Sequence, residues 1–360
     1  MNAPLRTIQA GRDGARVTIL HQSRLPADVA ALALTQLEAV AEAIGAMRVR
    51  GAPLIGVTAA WGVALALRHD PSDAGLARAA EVLIRQRPTA VNLRWAVERV
   101  AAAVRGLSAA DRADAAWVEA ASIMAEDESG NERIAEHGLP LIQEIARRKH
   151  DGDAVQVLTH CNAGWLATTA WGTATAPIYL AHQQGIPVHV WVDETRPRNQ
   201  GAALTAWELA RAGVPHTVIV DNAGGHLMQR DRVDLCLVGA DRVAANGDVV
   251  NKIGTYLKAL AARDGGIPFH VAMPTSTIDL AAIDGMMIPI EERDPDEVLG
   301  VTGYADGVPV RVALTAPATR AANPGFDVTP ARLVTSLITE RGCIAPTPAA
   351  IAALMEHDIR

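Results

Sequence analysis

Hydrophobic residues recur at helical spacing through most of the first 150 positions of the chain. A strand-like segment over residues 17–20 precedes this part. The spacing predicts helices over residues 29–47, 54–67, 74–86, 91–104, 110–128 and 132–148. Basic residues at 147–149, followed by Gly152, form a helix stop signal. We therefore predict a mostly helical N-terminal domain with a few short strands over residues 1–130 and a connecting helix over 131–150.

The pattern changes after residue 153, where apolar runs of strand length alternate with segments of helix length. The predicted strands are 154–160, 187–192, 216–220, 233–238, 268–273 and 286–290. The predicted helices between them are 165–183, 202–211, 252–262 and 278–282. Continuous apolar strands alternating with helices are typical of a parallel sheet covered on both faces. The fold class is therefore α/β, with a doubly wound, Rossmann-like parallel-sheet domain over residues 151–360.

Composition narrows the class of protein. The 360 residues are 49% hydrophobic and 20% charged, as in a globular protein, and the net charge of −7 gives no general attraction for nucleic acid or anionic membranes. Cys161, Cys236 and Cys343 are too few and scattered for a disulfide framework, so a reducing compartment, the cytoplasm, is expected. The first 24 residues lack a signal-peptide pattern, and no apolar run approaches membrane-spanning length.

Several cofactor motifs are missing from the sequence. It contains no G-x-G-x-x-G after the first strand of the sheet domain and no phosphate-binding G-x-x-x-x-G-K-[ST]. None of the 11 histidines is arranged as H-x-H or H-E-x-x-H, and G-x-S-x-G is also absent. We therefore expect no dinucleotide, no ATP and no protein-built metal site. The chemistry is expected to come from side chains alone, with no cofactor.

Polar side chains follow five of the predicted strands. In doubly wound sheets ligands bind outside the carboxyl ends of the strands, so these ends together indicate a site. Cys161 follows the first strand, where the amino terminus of a following helix would lower its pKa and let it act as acid or base. The alternative is a small buried apolar residue. Asp241 follows the fourth strand and is either a general acid or base, or a helix cap paired with Arg242.

Three basic segments are candidate anion sites. Arg50, Gly51 and Ala52 lie between two predicted helices, where exposed amides and a guanidinium bind anions, unless this is a helix corner with an exposed arginine. Arg94 is either a second phosphate ligand or a cation on a helix face. Lys252 opens a predicted helix and is either a phosphate contact or a surface lysine. The charged loop 193–198, followed by Gln200, either is solvated or covers a substrate.

These segments together resemble one known family, the methylthioribose-1-phosphate isomerases. The resemblance covers residues 17–346, and its motifs are VRGAPLIG at 49–56, PTAVNLRWA at 88–96, LTHCNAG at 158–164, DETRPRNQGAALTAWEL at 193–209, GADRVAANGDVVNKIGTY at 239–256, PTSTID at 274–279, IPIEERDPDEV at 288–298 and NPGFDVTP at 323–330. Two departures are His21, where aspartate is usual, and Ala-Gly at 223–224, where Met-Ala is common. The wider family also contains ribose-1,5-bisphosphate isomerases and regulatory subunits of the translation-initiation nucleotide-exchange factor.

The resemblance implies an activity and a set of site residues. It implies conversion of 5-methylthioribose 1-phosphate to 5-methylthioribulose 1-phosphate in methionine salvage, by a homodimer that needs no metal. It implies that Cys161 and Asp241 are the catalytic acid and base, and it does not decide which is which. It implies that the substrate is bound by Arg50, Gly51, Ala52, Arg94, Gln200, Asn251 and Lys252. A bisphosphate isomerase and a regulatory binding protein remain the alternatives.

Overall fold

The N-terminal part opens with a small antiparallel sheet. A computed structural model describes residues 6–12, 14–150 and 152–356 of the chain, so the predicted domain limits at residues 1, 151 and 360 lie outside the described residues. The sheet has the order β1-β2-β3, with strands β1 (Ile8–Ala10), β2 (Val17–Leu20) and β3 (Ala31–Leu34). The predicted strand at 17–20 is present. The predicted helix over 29–47 is partly wrong, because its first residues form β3 and pair with β2.

Five helices follow this sheet. They are α1 (Leu37–Gly45), α2 (Ala52–His69), α3 (Asp73–Ile84), α4 (Val91–Val104) and α5 (Ala109–Ala146). The centre of this bundle is α2, which packs against the other four helices. By length and a mean hydropathy of 1.2 it is apolar enough to cross a membrane, but 83% of the segment is buried inside the protein. Its hydrophobicity is therefore that of a core helix.

Helix α5 joins the two parts of the chain. The predicted helices 110–128 and 132–148 are one continuous 38-residue helix, which also crosses the predicted boundary between residues 130 and 131. Its first half packs on α2, with Ile123 in the N-terminal core, and Ile134 begins the contact with a second core. Gly130 does not end the helix, because it and Asn131 are buried against the second part of the chain.

The second part contains the remaining strands and helices. The strands are β4 (Val155–Thr159), β5 (Val188–Asp193), β6 (His216–Ile219), β7 (Leu235–Val238), β8 (Arg242–Ala244), β9 (Val249–Lys252), β10 (Phe269–Ala272), β11 (Ile278–Asp279), β12 (Gly300–Ala305), β13 (Val308–Ala313), β14 (Phe326–Thr329), β15 (Ser336–Thr339) and β16 (Gly342–Ile344). The helices are α6 (Ala176–Gln183), α7 (Ala206–Ala212), α8 (Ala223–Gln229), α9 (Thr255–Asp264), α10 (Asp296–Leu299) and α11 (Pro348–Glu356).

The main sheet confirms the doubly wound α/β prediction. Its order is β16-β15-β10-β7-β4-β5-β6, and every neighbouring pair is parallel except β15 with β16 at the edge. Along the chain, β4, β5 and β6 extend the sheet in one direction, whereas β7, β10 and β15 extend it in the other. The strand order therefore reverses between β4 and β7, which is the position where doubly wound sheets bind their ligands.

Several predicted elements of this part need correction. Residues 286–290 do not form a strand, because Gly285–Met287 is a 3-10 turn held by the Asp284 carboxylate. Residues 278–282 begin with the short strand β11, which pairs with β8 and is not helical. The predicted helix 165–183 begins only at Ala176, because the chain first makes a 3-10 turn at Trp165–Ala167 and a bridge between Gly164 and Gly172.

A second, smaller sheet lies beside the main one. Its order is β11-β8-β9-β14, and β12 and β13 form a separate two-stranded hairpin. Residues 242–252 therefore form two paired strands between β7 and α9. The predicted helix 252–262 begins at Thr255, and Lys252 is the last residue of β9. This small sheet extends the chain beyond the carboxyl end of β7 and fixes the position of Lys252.

Candidate active site

Cys161 and Asp241 lie on either side of the point where the strand order reverses. Cys161 follows the end of β4, and Asp241 follows the end of β7, and these two strands are hydrogen-bonded neighbours. Arg50 and Lys252 both interact electrostatically with each of the two groups. The structure therefore brings together a thiol, a carboxyl group and two cations, as the sequence predicts for a site at these strand ends.

Cys161 is held in an unusual backbone conformation. Its φ is 66°, a left-handed value that is uncommon for a residue with a side chain. Its amide donates a 2.8 Å hydrogen bond to Thr195 Oγ1, and its carbonyl accepts a 2.7 Å bond from Thr205 Oγ1. The thiol donates to Gln200 Oε1 across 3.5 Å. The protein thus fixes the backbone and the sulfur atom together.

The sequence predicts a lowered pKa for Cys161, whereas the structure gives a raised one. Burial raises the pKa of this thiol, although Arg50 and Lys252 act to lower it. The predicted effect of a helix amino terminus is missing because α6 begins only at Ala176. The resting side chain is therefore a neutral thiol near neutral pH.

Asp241 is the carboxyl group of the site. Its amide donates to the carbonyl of Val250 in β9 across 2.9 Å, which fixes its backbone. Burial raises the pKa of Asp241, and Lys252 is the strongest of the cations that oppose this shift. The alternative pairing with Arg242 does not occur, because the Arg242 guanidinium binds the Thr89 carbonyl at 2.9 Å and lies 3.4 Å from Asp279.

Arg50 is buried, so the alternative of an exposed helix corner is wrong. Its guanidinium is 7% exposed, and burial lowers its pKa. Nη1 donates to the Asn162 side-chain oxygen, and Nη2 donates to the Asn162 carbonyl at 2.6 Å. Its Nε has no partner among the described residues. Buried N–H groups of this kind are ready donors for an anionic ligand.

Gly51 and Ala52 place Arg50 at the start of α2. Gly51 has a φ of 96°, and a β-carbon there would lie 2.5 Å from the Ala167 Cα. Only glycine fits both the conformation and the close approach. Ala52 is the first residue of α2 and is 7% exposed. The N-terminal part of the chain therefore contacts the loop after β4 directly beside Cys161.

Lys252 and Asn251 lie at the end of β9. The Lys252 ammonium donates to the Gly325 carbonyl at 2.9 Å and lies 4.7 Å from the centre of the Phe326 ring. Burial lowers its pKa, so the alternative of a surface lysine is wrong. Helix amides do not assist it as predicted, because α9 begins three residues later. Asn251 is buried and donates to Thr255 Oγ1 at 3.0 Å.

A cavity of about 680 Å³ opens beside Arg50 and Gln200. Its wall also includes Leu25, Met47 and Arg198. Arg198 donates to Glu297 at 2.8 Å, and Arg293 donates to the same carboxylate at 2.7 Å. Burial would raise the pKa of Glu297, but the two guanidinium groups lower it to about 2. Glu297 is therefore ionised, and its negative charge offsets the positive charge of Arg198 in the cavity wall.

Arg94 lies apart from the buried cluster. It is in the first turn of α4, with its side chain 53% exposed and 3.6 Å from Glu98. Its charge lowers the pKa of Arg242, the neighbour of Asp241, so it faces the same region of the protein. Arg94 therefore lies at the exposed rim of the site, whereas the other predicted site residues are buried or half-buried.

Sequence reasoning missed several residues around the site. Arg87 lies 3.0 Å from Glu291 and lowers the pKa of Asp241. The N-terminal part of the chain therefore contributes a second basic side chain near the site. Glu208 is fully buried and hydrogen-bonds Asn162 at 2.7 Å. Glu208 lies within the motif at 193–209, but no pattern in the sequence distinguishes a buried helical glutamate from an exposed one.

A buried ion pair supports the loop that holds Cys161. His160 and Asp193 are 2.8 Å apart, and Lys258 lies 3.2 Å from the same carboxylate. Together with Asp221, His160 and Asp193 have the spacing of metal ligands. The Lys258 ammonium already contacts Asp193 and the Asp221 carbonyl, so a side-chain cation supplies the positive charge at this position.

The comparisons with known proteins define the class of the protein. The family model described as the Initiation factor 2 subunit family matches residues 48–346, so the chain belongs to that family. Within it, the chain belongs to the methylthioribose-1-phosphate isomerase family. A relative of that name from Methylorubrum populi is 60% identical over 353 residues, which cover 98% of this chain and 96% of that protein. The resemblance seen in the sequence motifs is thereby confirmed.

Solved structures agree with this assignment. The 5-methylthioribose 1-phosphate isomerase of Pyrococcus horikoshii is 38% identical, with a TM-score of 0.84 over 99% of this chain and 97% of that one. A translation initiation factor eIF-2B, subunit delta, from A. fulgidus is 36% identical, with a TM-score of 0.79 over 98% of this chain and 100% of that one. The fold is thus shared between chains named as enzymes and chains named as translation factors, and the site must decide the function.

Proposed function

We propose that the protein is an aldose–ketose isomerase that converts 5-methylthioribose 1-phosphate to 5-methylthioribulose 1-phosphate in methionine salvage. The observation that carries this proposal is the placement of Cys161 and Asp241 at the two strand ends of the switch point, with Arg50 and Lys252 beside both. The names of relatives near 60% identity support the same reaction. An acid and a base suffice for it, each worth about 10²–10⁴-fold in rate.

The chemistry of the substrate sets what these groups must do. Phosphate occupies the anomeric oxygen, so no free aldehyde exists until the ring opens. Opening breaks the bond between C1 and the ring oxygen, which takes a proton. The hydrogen on C2 then moves to C1, and loss of the 2-hydroxyl proton leaves a ketone at C2. The phosphate remains on C1 throughout, and atoms and charge balance without a redox cofactor.

We assign the acid to Asp241 and the base to Cys161. The raised pKa of Asp241 supports a carboxyl group that holds a proton to give to the ring oxygen. The base is the thiolate form of Cys161, the minor form near neutral pH, which arises when the thiol loses its proton to solvent before the sugar reacts. Arg50 and Lys252 favour this form, and the raised pKa makes it a strong base for the 2-hydroxyl proton. The exchanged assignment, with Cys161 as the acid and Asp241 as the base, is the alternative.

The hydrogen on C2 travels either as a hydride or through an enediol. The buried position of Cys161 favours the hydride shift, since it limits the water that would exchange a proton. Substrate deuterated at C2 decides the question. Retention of deuterium at C1 of the ketose supports the hydride shift, whereas complete washout into solvent excludes it.

The charges around the cavity favour a neutral 5-substituent over a second phosphate. Arg198, which lines the cavity, is neutralised by Glu297, and Arg311 donates to the Asp296 carbonyl at 2.6 Å. Leu25 and Met47 give the same cavity apolar surface. A methylthio group fits such a wall, whereas a second phosphate would meet cations that are already paired. A bisphosphate isomerase is therefore the second candidate.

The decisive experiment is turnover of methylthioribose 1-phosphate by the purified protein without added metal or nucleotide. We expect rapid ketose formation by the wild type and its loss in folded Cys161→Ser and Asp241→Asn. The matched controls are Cys343→Ser and Asp264→Asn, which change exposed residues and are expected to retain full activity. A folded wild type inactive on this sugar and active on ribose 1,5-bisphosphate supports the second candidate. Inactivity on both supports a regulatory binding protein.

We also propose that the enzyme acts as a homodimer in the cytoplasm, as the family resemblance implies. All three cysteines are free, which suits a reducing compartment. Sedimentation equilibrium at micromolar concentration measures the oligomeric state. A mass of two chains supports the dimer, and a single-chain mass under assay conditions contradicts it.

A further inference from the structure

Glu208 is a fully buried carboxyl group whose contacts are with neutral donors. It lies in α7 and is 0% exposed. Oε1 accepts a 2.7 Å hydrogen bond from Asn162 Nδ2, and Oε2 accepts a 3.2 Å bond from the Leu166 amide. A buried carboxyl group without a direct ion pair is costly, so its retention calls for a reason beyond packing.

Asn162 connects this carboxyl group to Arg50. Its side-chain oxygen accepts from Arg50 Nη1, and its carbonyl accepts from Nη2 at 2.6 Å. The orientation of the amide follows from its neighbours, since a guanidinium offers only donors, whereas the Glu208 oxygens accept from Asn162 and from the Leu166 amide. The Asn162 oxygen must therefore face Arg50, and its nitrogen must face Glu208. The same nitrogen also donates to Thr205 Oγ1 at 3.1 Å, so Glu208 is one of its two acceptors.

The surrounding backbone is shaped for this contact. A β-carbon on Gly164 would lie 1.5 Å from Glu208 Oε1, so the loop after β4 encloses the carboxyl group only because this residue is glycine. The same loop contacts Gly51 through Ala167. The segment that holds Cys161 is therefore anchored by Glu208 on one side and contacts the Arg50 segment on the other.

We propose that Glu208 is a positioning residue that orients the Arg50 guanidinium through the Asn162 side-chain amide. This inference rests on the proposed function, in which Arg50 binds the sugar phosphate. With both Nη atoms held by Asn162, the remaining N–H groups of Arg50 face the ligand in a fixed direction. A donor that is already ordered in the free protein loses less conformational entropy when the ligand binds, which strengthens binding.

Glu208→Gln tests the proposal with almost no change of shape. Both oxygens of the carboxyl group accept a hydrogen bond in the structure, and glutamine replaces one of them with a donor. Either the Leu166 amide or the Asn162 amide therefore loses its acceptor. If the Asn162 nitrogen loses its bond to Glu208, Thr205 Oγ1 is its one remaining acceptor among the described residues, and the side-chain oxygen is held less firmly against Arg50 Nη1. We expect KM for methylthioribose 1-phosphate to rise about tenfold with kcat within about threefold of the wild type, as for a lost binding interaction.

A double-mutant cycle with Arg50→Lys shows whether Glu208 acts through Arg50. Lysine cannot make both bonds to Asn162, so Glu208→Gln is expected to change KM by less than about twofold in the Arg50→Lys background. Asp127→Asn is the control, since the half-buried Asp127 carboxyl group also accepts from a backbone amide of the same loop, that of Thr169 at 2.7 Å. It is expected to lower the melting temperature and leave KM unchanged.

The outcomes separate this proposal from the assigned reaction. Equal KM increases in the wild-type and Arg50→Lys backgrounds, or an equal increase in Asp127→Asn, would overturn the positioning role. If the wild type turns over no methylthioribose 1-phosphate, the proposed function fails, and affinity for inorganic phosphate, measured by competition against the bisphosphate substrate or by calorimetry, replaces KM. Weaker phosphate binding by Glu208→Gln then supports the positioning role, and unchanged binding overturns it.

Discussion

Thr195 Oγ1 accepts a hydrogen bond from the Cys161 amide at 2.8 Å, and both residues have positive φ values, 66° for Cys161 and 62° for Thr195. The same hydroxyl donates to the Asp193 carbonyl at 3.0 Å. Backbone strain of this kind costs about 1–3 kcal/mol for each residue and persists only where neighbouring groups enforce it. The loop after β5 is thus what holds Cys161 in place.

Thr195→Val removes this hydroxyl while keeping the branched shape of the side chain. The Cys161 amide then has no acceptor, which costs about 1–3 kcal/mol of unfolding free energy. We expect kcat to fall at least about tenfold, since the sulfur is no longer fixed relative to Asp241. Urea unfolding and steady-state kinetics measure the two effects. Thr217→Val, at an exposed position in β6, is the control and is expected to change neither.

Gly51→Ala tests the close contact between the Arg50 segment and the loop after β4. The new β-carbon would lie 2.5 Å from the Ala167 Cα and would occupy a φ of 96°. We expect a loss of stability of about 1–3 kcal/mol and a higher KM, because the Arg50 segment must move away from the loop. Gly106→Ala meets no atom within 4 Å and is expected to be neutral. An unchanged KM in folded Gly51→Ala would contradict the role of this contact.

Glu208 is expected to make stability depend on pH. Burial raises its pKa from the ordinary 4.5 to about 8, with Arg50 and Tyr179 as the neighbouring titratable groups. A carboxyl group with a raised native pKa favours folding while protonated, so its contribution is lost as pH rises from about 4.5 towards about 8. The loss is at most about 1.4 kcal/mol per pH unit.

Urea unfolding of the wild type and Glu208→Gln at pH 5.5 and pH 8 isolates this contribution. We expect the stability of the wild type relative to the variant to be greater at the lower pH. Other buried acids titrate in both proteins and cancel in the difference. A difference that is independent of pH would show that Glu208 is already ionised at pH 5.5.

Glu297→Gln is expected to weaken discrimination against a second phosphate. The substitution removes the charge that neutralises Arg198, so a positive group becomes available at the cavity, whereas Arg293 keeps its ion pair with Glu291 at 2.7 Å. We expect the ratio of kcat/KM for ribose 1,5-bisphosphate to that for the methylthio sugar to rise at least about tenfold, as one gained ionic contact would give. Competing the two sugars in one assay measures the ratio. An unchanged ratio would indicate that the 5-substituent does not bind next to Arg198.

Removal of divalent cations is expected to leave the activity unchanged. The positive charge at the site comes from Arg50 and Lys252, and Lys258 supplies it at the cluster formed by His160, Asp193 and Asp221. Activity is measured after dialysis against EDTA and again after adding Mg²⁺ or Zn²⁺. A loss that either ion restores would contradict the proposed metal-free mechanism.

The sequence predicted the central strands of the sheet well because they are buried on both faces. Such strands read as continuous apolar runs, and those ending at residues 160, 192 and 238 lie within a residue of the strand ends in the structure. The same rule failed for 286–290, whose apolar residues are largely exposed beside a 3-10 turn. Strand β15 was missed because Ser336 and Thr339 interrupt its short apolar pattern.

The candidate site was predictable only in part. The strand-end rule located Cys161 and Asp241, and the family motifs added Arg50 and Lys252, which are indeed beside them. The direction of the Cys161 pKa shift was not predictable, because it depends on where α6 begins and on burial. The link from Glu208 through Asn162 to Arg50 joins three distant stretches of the chain, and no local pattern indicates such a contact.

The two strands that precede Cys161 and Asp241 are β4 and β7, and they lie at the centre of the seven-stranded sheet. Central strands are the last parts of a domain to open, so their amides are expected to exchange with solvent only through global unfolding. Arg50 and Lys252 instead lie outside this sheet, in the N-terminal part and in the small sheet. Opening of the N-terminal part would therefore move Arg50 away while β4 and β7 stay paired, so heating is expected to weaken affinity for the sugar before it disrupts the central strands.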